Sequence, residues 1–193
     1  TKELIDNYET NKVANPDKYP DTDWADLSLN TAAPRETHSL SIMAGSKFVR
    51  TNASLRYETV GGFYDNKNYK RIFARLNNDF NINKYIGGTF DFNFRRTATT
   101  DPTHSDPLGE IRIASPVYPA MWTDGRVADG KAGANVWARL KYGGQNQNWY
   151  NQISGRVGLD IKPIDGLKIS GILAPIFDFN SQKFFNNKVD AYS

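Results

Sequence analysis

Cysteine is absent from this 193-residue chain, which removes disulfides, thiolate metal sites and cysteine nucleophiles. Methionine and histidine occur twice each. Neither histidine has a nucleophile or metal ligand at a useful spacing: His38 heads an alternating segment, and His104 sits in the loop-like Asp-Pro-Thr-His-Ser-Asp-Pro. No phosphate-cradling glycine motif, H-E-x-x-H or G-x-S-x-G is found. The sequence reads as a non-enzyme that needs no cofactor and no metal. An excess of one charge is lacking too, with 24 Lys and Arg against 21 Asp and Glu, and their scatter argues against nucleic acid as a partner. Runs of eighteen apolar residues are missing and mean hydropathy is −0.61, so no membrane-spanning helix is expected. A membrane β-barrel stays open, because its strands alternate apolar and polar residues and look hydrophilic on average. The opening TKELIDNYET has neither the basic nor the apolar region of a secretory leader.

What the chain has in quantity is aromatic residues, with eleven Phe, ten Tyr and four Trp, which favour strands. Residues 1–35 read as a leader: one short helix over 2–10, then turn from Asn15 to Asn30. From residue 36 to 193 the period is two. Over Phe48 to Thr59 the even positions carry Arg50, Arg56 and Glu58 while the odd ones carry Val49, Ala53 and Leu55. Tyr69 to Ile82 sets Arg71, Arg75 and Asp79 against Ile72, Leu76 and Phe80. Ile86 to Ala98 sets Asp91 and Arg95 against Phe90, Phe92 and Phe94. Alternation pauses over 99–147, resumes with Arg156 and Asp160 opposite Val157 and Leu159, and continues through Ile169 and Leu173. Six strands are expected, with a seventh beginning near Gln182. Strands of about 11 to 14 residues exceed the usual five or six and suit a tilted bilayer crossing. Short turns near 45–47, 83–85 and 162–166 alternate with longer connections at 60–68 and 99–147, as in outer-membrane barrels.

Two readings fit this pattern. In a soluble antiparallel sandwich the apolar parity faces a core, and such a module could bind carbohydrate through Trp122 or Trp137. In a barrel wall the apolar parity faces lipid and Arg50, Arg56, Glu58, Arg71, Arg75, Asp79, Asp91, Arg95, Arg156 and Asp160 face the lumen. There they would pair with one another or line a solute path. Six or seven strands are too few to close a barrel, so the second reading makes the chain an internal segment of a larger wall. A passive porin differs from an active transporter only in parts upstream. The long loop carries Tyr118, Trp122, Trp137, Arg139 and Tyr142, candidates for contact with a substrate or a partner as well as for packing. Asp124-Gly125 and Asp129-Gly130 lack calcium-loop spacing and read as turns.

Four segments in order, YPDTDW at 19–24, HSLSIMAGS at 38–46, YKRIFARLNNDFNI at 69–82 and ANVWARLKYGG at 134–144, resemble the SusC/RagA family of TonB-dependent outer-membrane transporters of Bacteroidetes. Asp21, Met43-Ala44-Gly45 and Val136 depart from the family's usual Asn, V-S-G-G and Pro. The resemblance implies an all-β fold, an antiparallel transmembrane segment of a 22-stranded barrel with long extracellular loops. It implies import of glycans or peptides across the cell outer membrane. The implied partners are a SusD-like surface lipoprotein, the lipid bilayer, an oligosaccharide or peptide substrate, and TonB engaged through a plug and TonB box absent from this chain.

Overall fold

The computed structural model describes residues 2–104 and 106–193; Thr1 in the leader and Ser105 in the long loop lie outside the described residues. In chain order the elements are α1 (Lys2–Asp6), α2 (Tyr8–Ala14), α3 (Trp24–Ser28), β1 (Arg35–Gly45), β2 (Val49–Gly61), β3 (Asn68–Asn81), β4 (Ile86–Pro102), α4 (Pro107–Ile113), α5 (Val136–Tyr142), β5 (Gly144–Ile164), β6 (Leu167–Leu173) and β7 (Ile176–Asn186). The expected leader helix is thus two short ones. The expected turn over Asn15–Asn30 contains α3, whose cap Asp23 accepts the Ala25 and Asp26 amides at 3.0 and 2.9 Å.

All strands form one antiparallel sheet in the order β1-β2-β3-β4-β5, with β6 and β7 both pairing the far edge of β5. β6 and β7 share a register with β5, so they are one rail interrupted at Ala174-Pro175. Proline offers no N–H to the ladder, and its carbonyl instead accepts the Gly155 amide at 3.0 Å. The seventh strand expected near Gln182 therefore does not exist as a separate element: Gln182 pairs Asn148 within β7. Pairing also runs past the expected loop limits, because Thr99↔Asn148 through Pro102↔Gln145 belong to the ladder. These residues are polar on both faces, which hides the two-residue period. Turns 46–48, 82–85 and 165–166 lie at one end of the sheet, and the leader, the 62–67 connection and the 103–143 loop lie at the other.

The register sorts side chains into cross-strand rows. On the apolar face these are Leu40–Leu55–Ala74–Phe94–Ile153–Phe177, Ile42–Ala53–Leu76–Phe92–Gly155, Ala44–Thr51–Asn78–Phe90–Val157–Leu173, Val49–Phe80–Gly88–Leu159–Gly171 and Ile86–Ile161–Ile169. No charged residue occurs in them. Their only polar side chains are Thr51 and Asn78, and these bond each other, Thr51 Oγ1 donating to Asn78 Oδ1 at 2.7 Å. Successive rows are two residues apart, so the band is about 27 Å long along the strands, or ~21 Å tall at a 40° tilt. Nothing among the described residues covers it: Phe90 is 40% and Leu173 69% exposed.

The buried apolar side chains lie elsewhere, in a cap at the long-loop end. Trp24, Ile111, Ala120, Val136 and Leu140 form its core, with Tyr118 and Trp137 packed against them. Gly144 joins the cap to the wall with φ +98°, and a Cβ there would stand 2.1 Å from the Phe185 carbonyl oxygen. Gly144→Ala should therefore cost about 1–3 kcal/mol in backbone strain, plus the displacement of β7. Urea unfolding of the barrel containing this wall, followed by loss of the heat-resistant band on gels, measures it; a midpoint equal to wild type would contradict the geometry.

Candidate functional site

The sheet gathers charge on the face opposite the apolar band. Residues directly opposed across an antiparallel pair share a face, and Arg50↔Asp79, Glu58↔Arg71 and Asp91↔Arg156 are such pairs. Arg56, Arg75, Arg95 and Asp160 project from the same parity. All ten sequence-selected charged residues thus lie on one face.

Their partners differ. Glu58, only 3% exposed, is clamped between Arg35 and Arg71, the latter donating Nη2 to Oε2 at 2.7 Å. Asp91 accepts from Asn77 Nδ2 at 2.6 Å and lies 4.0 Å from Arg156 Nη1. Asp160 accepts from Ser170 Oγ at 2.6 Å and Lys168 Nζ at 3.0 Å. Gln152 Nε2 donates to Asp178 at 2.9 Å. Sequence reading missed Arg35, Lys168 and Asp178. Arg35 was legible in principle, because β1 carries its apolar residues at even positions and Arg35 falls on the odd parity with Glu58's row.

The loop candidates converge less than their composition suggests. Trp137 and Tyr142 meet edge to face with centroids 5.8 Å apart, and the Lys141 ammonium stands 5.1 Å from the Trp137 ring. Tyr118 and Trp137 are partly spent on the cap core, and Arg139 donates Nη2 to the Gly133 carbonyl at 2.7 Å. Trp122 lies apart from this pair, its Nε1 donating to the Tyr192 carbonyl at 2.9 Å. Tyr142, at 43%, is the most exposed of the five.

Of the four motifs, HSLSIMAGS and YKRIFARLNNDFNI are the wall strands β1 and β3, and the other two build the cap. In YPDTDW, Tyr19 meets Tyr8 edge to face at 5.6 Å, Asp21 accepts from Lys12 Nζ at 2.8 Å, and the Thr22 amide donates to Pro116 at 2.9 Å. Asp23 caps α3, and Trp24 Nε1 donates to Ser115 at 2.9 Å from inside the core. In ANVWARL, buried Asn135 caps α5 through the Ala138 amide and donates Nδ2 to both Ala120 and Ala128 carbonyls at 2.7 Å. Lys12 is held protonated well above the usual lysine range by Asp21 and then Glu9. The Arg126 amide, then its guanidinium, hold Asp124 below the usual carboxylate range.

A single antiparallel sheet with a charge-free apolar band on one face, charge on the other and a cap at one end is a segment of transmembrane β-barrel wall. Solved structures share this fold. A chain of the RagAB peptide transporter superposes with a TM-score of 0.68 at 19% identity, over 84% of this chain and 19% of that one. A chain of the RagAB peptide importer in the 'closed-closed' state gives 0.65 at 20% identity, over 88% and 20%. The present chain spans about a fifth of the chains it matches. No protein-family model matches the sequence, and no curated protein matches it.

Two outcomes test the cap. Asn135→Leu leaves the Ala128 carbonyl without its side-chain donor, at about 1–3 kcal/mol, leaves the Ala120 carbonyl with only the Ala128 amide at 3.1 Å and removes the α5 cap, so amide hydrogen exchange across 120–142 should accelerate at least tenfold while β3 is unchanged. For Asp124, a lowered carboxyl pKa means its contribution is complete above the unfolded value and lost as pH falls through the folded one. Exchange at the Arg126 amide should thus be unaltered, after correction for intrinsic rates, from pH 7 to about 5, and should rise only below about pH 4.

Proposed function

We propose that this chain is part of the barrel wall of an outer-membrane TonB-dependent importer of the SusC/RagA kind. The observation that carries the reading is the charge-free band, which is exposed yet sorted row by row to suit hydrocarbon. Lipid is the surrounding that makes such a face favourable, since a charge at the midplane costs about 2–4 kcal/mol. The soluble sandwich needs a second layer over Phe90 and Phe92, and the described residues form one sheet only.

In this reading the charged face lines the lumen, the turns at 46–48, 82–85 and 165–166 face the periplasm, and the cap lies outside the cell. Interfacial anchors fit that orientation: Lys47 and Lys84 lie 4.8 and 4.7 Å from the Phe48 and Tyr85 rings beside the short turns. At the outer edge, the row His38–Tyr57–Ile72–Arg96–Asn151–Phe179 ends the band. Both rims of the sheet leave ladder groups unpaired, and in lipid each costs several kcal/mol, so flanking strands complete the wall. The substrate is a peptide or glycan delivered by a SusD-like lipoprotein docked on the cap, where Tyr142 and Trp122 are the contact candidates that packing leaves most available. TonB acts through regions beyond these residues.

The test is a parity pair. In the barrel containing this wall, reconstituted in vesicles, Phe92→Arg should lower unfolding stability by about 2–4 kcal/mol. Asn52→Arg, exposed on the opposite face between Met43 and Asn77, should change it by under about 1 kcal/mol. Equal effects, or a Phe92→Arg protein that folds without lipid or detergent, would count against the membrane reading.

A further inference from the structure

The charged face is unevenly neutralised. Its carboxylates Glu58, Asp91, Asp160 and Asp178 each have a donor on neighbouring strands, while Asp79 faces Arg50 across the β2–β3 pair without bonding it. Arg56, Arg75 and Arg95 have no carboxylate within 4 Å and donate no side-chain hydrogen bond among the described residues, unlike Arg35, Arg71 and Arg156. These three are neighbours. Arg56 and Arg95 are both paired to Phe73, one from each side, and Arg75 is the next residue of β3 on the same face. Strand spacing puts Arg56 and Arg95 about 10 Å apart, and the diagonal steps put Arg75 roughly 7–8 Å from each. All three side chains are exposed.

Clustered like charges destabilise a sheet unless something compensates them. The surroundings say what could. The same two cross-strand rows supply Ser54, Asn93, Gln152 and Ser154, and the nearest acids, Glu58 two residues from Arg56, Asp91 diagonal to Arg75 and Asp178 beyond Gln152, already accept from Arg71, Asn77 and Gln152. The patch therefore carries three positive charges and no carboxylate of its own, with neutral serine and amide groups around them, which suits an acceptor-rich anion better than neutral sugar hydroxyls. Guanidinium forks match carboxylates two bonds at a time. An extended peptide advances about 3.3 Å per residue, so acidic side chains two or three residues apart fall at the spacings of this cluster, and Phe73 between them can take an intervening apolar side chain.

We propose that Arg56, Arg75 and Arg95 form a binding station for the carboxylates of an acidic, extended peptide passing along the lumen. This rests on the importer reading above and names the ligand chemistry of its wall.

The complete transporter that contains this chain is titrated calorimetrically with three ligands: a hexapeptide carrying Glu at alternate positions, its Gln analogue, and an oligogalacturonate. The acidic peptide should bind about tenfold or more tightly than the Gln analogue at low salt, and the difference should shrink as salt approaches 0.5 M. R56Q/R75Q/R95Q should abolish the difference while leaving affinity for the Gln analogue unchanged, and R56K/R75K/R95K should restore part of it. Circular dichroism confirms that both variants keep the wild-type β signal. Equal affinities for the two peptides, a preference surviving in the triple Gln variant, or tighter binding of the oligogalacturonate would each overturn the proposal. Peptide binding without charge preference overturns this station alone; no binding of any of the three overturns the import reading with it.

Discussion

The structure depends on one constraint: backbone polar groups within a hydrocarbon layer must be paired inside the protein, and an extended chain that does so points alternate side chains to opposite sides. Everything about the wall follows from this. A side chain's face is decided by whether its number is odd or even, and register carries that choice from strand to strand. Leu55 opposite Ala74, Ala74 opposite Phe94 and Phe94 opposite Ile153 form one continuous apolar row across four strands. The polar exception obeys the same rule, since Thr51 and Asn78 satisfy each other where water would otherwise be needed.

The cap is stabilised by different physics. Its buried side chains, Trp24, Val136 and Leu140 among them, come from segments far apart in sequence and form an ordinary small core. Polar stitching adds to it, with Asp17 accepting from both the amide and hydroxyl of Thr123 at 2.9 and 2.7 Å. β4 and β5 continue past the band and become a ladder polar on both faces from Thr99↔Asn148 to Asp101↔Asn146. They hold this core clear of the layer that the wall crosses. One chain thus contains a surface adapted to lipid and a core adapted to water, joined at Gly144, where close approach to the Phe185 carbonyl admits only glycine.

The wall was legible in the sequence because the constraint writes itself into parity. Phe90, Phe92 and Phe94 alternating with Asp91 and Asn93 leave one arrangement, and the observed register has it. Legibility ends where the two faces cease to differ. The Thr99–Asp101 and Asn146–Asn148 ends are polar on both sides, so alternation gives no signal, although the backbone pairs without interruption. The short helices α3 and α5 were missed because five and seven residues are too few to display a helical period; their cap residues Asp23 and Asn135 were the signals available. Aromatic type misled in another way. Trp137 and Tyr118 read equally well as ligand faces or as packing, and only the fold shows how far the cap core consumes them.

Charge on the opposite face is where the wall retains freedom of design. Parity requires only that these side chains be tolerated by water, and sheet stability is indifferent to many of them at exposed positions. The Glu58 clamp lies near the cap end, next to β1, and there a 3%-exposed carboxylate with two arginines fixes the approach of β1 to β2 and β3. Removing either arginine from so buried a carboxylate costs more than an exposed pair would return, so this cluster is structural. Arg56, Arg75 and Arg95 are exposed and have no carboxylate partner among the described residues, so the fold does not require their charge in the same way. A wall that neutralises its buried carboxylate and leaves three adjacent arginines bare has separated the charges that hold strands together from those that stay open to solvent.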